Sequence, residues 1–131
     1  MIVRAIVILL ASAGALCAQT TNSGQKLFHL HCAACHGPDA RGNGPMANVL
    51  RIAPPDLTRL AQRNAGRLPA KAIAAQIDGT ASLPGHGDTM PVYGYFFADD
   101  AKMSQSIGGQ RIEAAQSILD LIIWLEQIQA K

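Results

Sequence analysis

Apolar side chains recur at helical spacing near both ends of the chain and lose that rhythm between. Leu27, Leu30 and Ala34 fall three or four positions apart, as do Phe28 and Cys32. This predicts a helix that starts near Ser23, a residue suited to N-capping, and runs to the cysteines. Gly37-Pro38 ends it. From Asp39 to Pro55 the periodicity is gone. Gly42-Asn43-Gly44-Pro45 and Pro54-Pro55 mark loop, with a short helical turn expected over Met46 to Leu50. Asp56 is placed to cap a short helix from Leu57 to Gln62. Pro69 suits the start of another, Ala70 to Ile77, which Gly79 closes. Residues 79–100 carry no clear regular element. A final helix is predicted from about Gln110 to Gln129, with Ala115, Leu119, Ile122 and Ile123 on its apolar stripe. Strand-like alternation is missing throughout, so the expected fold class is all-α: short helices packed around one core.

The first residues follow a different logic. Arg4 precedes an apolar run from Ala5 to Leu16, and small residues surround Ala18-Gln19. That order predicts a secretory signal peptide over residues 1–18 and a single domain over 19–131. About 20 apolar residues are needed to cross a bilayer, so no transmembrane span is expected in the mature chain. Cys17 would leave with the leader, and Leu16 is too large to precede a lipidated cysteine comfortably. The remaining stretch of about 113 residues suffices for one small domain. Its aromatics are only Phe28, Tyr93, Tyr95, Phe96, Phe97 and Trp124. A large, flat apolar group in the interior would make up for so thin a supply.

Cys32-Ala33-Ala34-Cys35-His36 supplies a candidate for that group. C-x-x-C-H is the attachment signature of a c-type haem. Two thiols at this spacing can add to the two vinyl groups on one porphyrin edge. The next residue then brings an imidazole under the iron. A redox disulfide would ordinarily sit beside a βαβ pattern, which is absent, and structural zinc needs four ligands. Met90-Pro91, in the Pro- and Gly-containing stretch, is the candidate for the other axial position. A thioether there raises the reduction potential, and Pro91 restricts the residue before it. His86 is the competing ligand. Met46 is too close in sequence to His36, and nothing around Met103 forms a rigid turn. His29 is expected to face solvent or lie near a haem propionate, and His31 to lie at the surface beside the haem edge.

Together these features resemble the class I monohaem c-type cytochromes of exported bacterial proteins, over nearly all of the mature chain. Gly24 and Phe28 look like the small-plus-aromatic face of the N-terminal helix, and Trp124 like the aromatic of the C-terminal helix that crosses it. Pro55-Asp56-Leu57-Thr58 resembles the loop whose proline carbonyl accepts a hydrogen bond from the proximal histidine ring, with Pro45 an alternative. The resemblance implies one covalent haem c held by Cys32, Cys35, His36 and Met90, with Pro55 and Leu57 beside it. It also implies a periplasmic location and one-electron transfer between redox proteins, without catalysis. A relay subunit on an exported dehydrogenase or terminal oxidase is the alternative. A haem enzyme or gas sensor would need a labile Met90. The aromatic run Tyr93 to Phe97 is expected to pack against the haem and the last helix, or else to form a docking patch.

Charge adds little to this. The formal net charge is +2, which, with two haem propionates added, argues against a nucleic-acid partner. Arg41, Arg51, Arg59, Arg63, Arg67 and Lys71 cluster in one stretch, whereas residues 78–131 hold seven acids against three bases. Such a run is either a solvated face or, if it borders the haem edge, a surface that steers an acidic partner.

Overall fold

The computed structural model describes residues 22–80 and 90–131. The expected leader, Cys17 and His86 lie outside the described residues. Helix α1 covers 22–31, and a single turn residue, Cys32, separates it from α2 (Ala33–His36). Gly37, at φ 80°, ends α2 where the sequence predicts. Three one-turn 3₁₀ helices follow: Ala47–Val49, Leu57–Arg59 and Gln62–Asn64. The second is capped as expected, the Asp56 side chain accepting hydrogen bonds from the Thr58 backbone N–H at 2.9 Å and its hydroxyl at 2.6 Å. Helix α3 spans Ala70–Asp78 and stops at Gly79.

The chain then departs from an all-α plan. Gln110–Ala115 is not the start of the last helix but a strand. It is β2 of an antiparallel hairpin whose other strand, β1, is Lys102–Ile107. Helix α4 is correspondingly shorter, Gln116–Gln127. The cause is local. Gly108 and Gly109 take φ of 57° and 72°, the pair of left-handed residues that a tight hairpin turn requires. The strand that leaves this turn buries Ile112 and Ala114 and exposes Arg111 and Glu113, an alternation of period two. Gln110 fixes the hairpin to the start of α3: its carboxamide oxygen accepts from the Lys71 N–H at 3.2 Å, and its nitrogen donates to the Leu68 carbonyl at 3.0 Å.

The core forms where α1, α3, α4 and the hairpin meet. Phe28, Ile118, Leu119 and Ile122 are its largest fully buried side chains. Each contributes about 1.5–3 kcal/mol by leaving water. The rings of Phe28 and Trp124 lie 4.6 Å apart between centroids. The crossing of α1 over α4 is as close as the sequence suggests: a Cβ on Gly24 would collide with the Asp120 carbonyl and approach Trp124 Cβ to 2.8 Å. The C-terminus is tied back to the middle of the chain. Gln129 donates to the Leu57 carbonyl and accepts from the Ala61 N–H, both at 2.8 Å. Among the described residues no helix is long and apolar enough to cross a membrane.

Candidate haem-binding site

α1 and α2 place the C-x-x-C-H residues at the edge of the core. The Cys32 N–H donates to Phe28 O at 2.8 Å, and the His36 N–H to Cys32 O at 2.9 Å, so the motif continues the helical hydrogen bonding of α1. The following loop folds back over it. Gly42 donates to His36 O at 2.7 Å, and Leu57 donates to Ala40 O at 2.8 Å, which brings residues 54–57 beside His36. His36 is buried, with its ring centroid 6.4 Å from that of Phe28. Cys32 and Cys35 are unbridged and half-buried. Burial, and next the neighbouring Cys35, push the Cys32 thiol up to about 11.

Two hollows, of about 240 and 290 Å³, adjoin the motif. Cys32, His36 and Met90 line both. The first is walled by Cys35, Leu50, Ile52, Pro55, Pro91 and Tyr93, among others. The second is walled mainly by Phe28, Leu57, Ile73, Ile77, Leu121 and Leu125. Taken together they fall within the range usual for a cofactor site, about 300–1,000 Å³. One thiol, the imidazole and the thioether on the seam, with the second thiol on the wall of the first hollow, are the groups that a covalently held haem uses. The residues present fit the group.

The structure brings together every described residue that the sequence singles out for the site. Met90, far downstream of His36, is half-buried against the same core. Pro55 and Leu57 line one hollow each, whereas Pro45 is exposed. Met46 and Met103 are exposed as well. His29 faces solvent as expected. His31 differs from its expectation as a surface residue. It is half-buried in an aromatic group, with ring centroids 4.7 Å from Phe96, 5.8 Å from Tyr93 and 5.9 Å from Phe97.

The aromatic run splits between the two roles weighed for it. Tyr93 and Phe97 pack inward, nearly parallel at 6.0 Å, while Tyr95 and Phe96 are 92% and 64% exposed. Tyr93 does more than pack. Its hydroxyl donates to the His31 carbonyl at 2.8 Å, and its N–H to the Ile77 carbonyl at 2.8 Å. It thereby joins the Met90 loop to both α1 and α3. Burial, then the nearby Cys32 and Cys35, raise its phenol above the ordinary value.

Two further residues acquire a role only in the folded chain. Gln76, on α3, directs its carboxamide nitrogen at Met90 Sδ across 3.9 Å. Arg63 donates to the Asp56 and Arg59 carbonyls, the latter at 3.3 Å, so part of the basic stretch clamps a loop. Arg51 is exposed between Leu50 and Ile52, which line the first hollow.

Fold and donor set define a small domain built to enclose one haem. The cytochrome c family model matches residues 22–107, and the chain belongs to that family. Its members bind haem c covalently, typically one per domain, and work in haem-based electron transfer. The match ends at the tip of the hairpin, so β2 and α4 lie beyond it. No curated protein and no solved structure matches the chain.

Proposed function

We propose that the protein is an exported, soluble one-electron carrier whose haem iron is bound by His36 and Met90. The observation that carries this reading is the presence of both side chains, with Cys32, on the seam shared by the two apolar hollows. The haem would supply the one-electron couple. The chain supplies the rest. Cys32 and Cys35 hold the group covalently and fix its orientation. His36 sits on a turn whose backbone is hydrogen-bonded on both sides, and its side chain is buried. Pro55 lines the same hollow as His36, and its carbonyl is the group that would steady the ring. Leu57, Ile73, Leu121 and Leu125 exclude water and keep the surroundings of low polarity, which favours the less charged, reduced state. A ligand pair retained in both oxidation states keeps the structural change on electron transfer small.

Tyr95 and Phe96 favour a second reading, a relay subunit docked on an exported dehydrogenase or oxidase, because exposed aromatics mark interaction sites. Potentiometric titration of the purified holoprotein tests the main reading. A single reversible one-electron step in a low-spin protein is expected. A high-spin ferric form that binds small anions would refute it and favour an enzyme or sensor.

A further inference from the structure

The second hollow contains few polar groups. Of the side chains that line it, Asn64 turns its amide to the Leu60 carbonyl at 3.0 Å. Gln76 instead points its amide at the Met90 sulfur across 3.9 Å, within reach of an N–H···S contact. Their register does not depend on side chains alone. Ile77, the next residue on α3, accepts a hydrogen bond from the Tyr93 N–H at 2.8 Å. That backbone bond pins the segment just after Met90 against the same turn of helix that carries Gln76.

We propose that Gln76 is a positioning residue that limits electron donation from Met90 and so raises the reduction potential. This rests on Met90 being the axial ligand. An N–H aimed at a thioether lone pair draws density away from the sulfur. The oxidised state depends more on that density than the reduced state does, so the contact favours reduction. It also leaves the sulfur easier to displace.

Gln76→Leu removes the donor at similar size, and Gln76→Ala removes it with less bulk. The holoprotein of either variant should show a lower midpoint potential. The net worth of one hydrogen bond corresponds to about a two- to tenfold change in the reduction equilibrium, and tenfold reads as 59 mV for one electron. Imidazole should displace Met90 less readily than in the parent protein. A purely structural role predicts the reverse for imidazole, because a loosened loop releases its ligand more easily. An unchanged potential, or easier displacement, overturns the proposal. The far-red methionine–iron band of the parent protein separates the two claims. Its absence would overturn the Met90 reading itself, whereas its presence with an unchanged potential would overturn only the role of Gln76.

Discussion

Gly24→Ala sets two known effects against each other. In an exposed helix the change stabilises by about 1 kcal/mol, because glycine is the poorer helix former. At this position the added Cβ would collide with the Asp120 carbonyl and reach 2.8 Å from Trp124 Cβ. The first obstacle is backbone and cannot rotate away, so α1 and α4 must separate. Overpacking of this kind costs about 1–3 kcal/mol, and separation would also loosen the tilted contact between the Phe28 and Trp124 rings. The steric effect should win, leaving a net loss of about 1–2 kcal/mol. For a domain near 100 residues that corresponds to a fall in Tm of about 5–10 °C. Thermal unfolding of the ferric holoprotein, followed by far-ultraviolet circular dichroism, measures it. A variant as stable as the parent, or more so, would show that the helices do not cross as closely as described.

Asp120, buried but for 9% of its surface, is expected to reduce stability at neutral pH. Burial, and next Asp100, raise its carboxyl above 3.8, although the Gln116 amide opposes the shift. The folded state therefore binds this proton more tightly than the unfolded state. The stabilisation is present below pH 3.8 and is lost as pH rises through the raised value. Asp120→Asn keeps an acceptor for Gln116 and should raise the unfolding midpoint at pH 7 by an amount worth under about 1 kcal/mol; a lowered midpoint would contradict the argument. Tyr93→Phe removes the 2.8 Å bond to the His31 carbonyl and should cost about 1 kcal/mol in guanidinium unfolding. It should also make Met90 easier to displace with imidazole, opposite in sign to the Gln76 variants. Unchanged displacement would mean that the hydroxyl does not restrain the Met90 loop.

How much of this was legible in the sequence depends on how locally each feature is determined. The turn at Gly37, the cap at Asp56 and the stop at Gly79 rest on neighbours a few residues away, and each was readable. C-x-x-C-H is equally local, which is why Cys32, Cys35 and His36 stood out without any structure. The hairpin is not legible because β1, Lys-Met-Ser-Gln-Ser-Ile, exposes all but its last residue and so carries no alternation. β2 merges with the helical stripe that follows it. Gly108-Gly109 was the signal that could have separated them. Gln76 could not have been found, since a glutamine on a short helix has no distinguishing pattern. Its meaning comes from a loop that folds back to it from another part of the chain. Tyr93 is similar: its aromatic company was visible, but the carbonyl it reaches lies far away in sequence.

The central claim is that His36 and Met90 bind one iron, and the far-red absorption of the ferric protein tests it most directly. The weak methionine–iron charge-transfer band should be present in the parent protein. It should disappear in Met90→Ala while the haem stays covalently attached through Cys32 and Cys35. A parent spectrum that is six-coordinate but lacks the band, or a band that survives in Met90→Ala, would contradict the account.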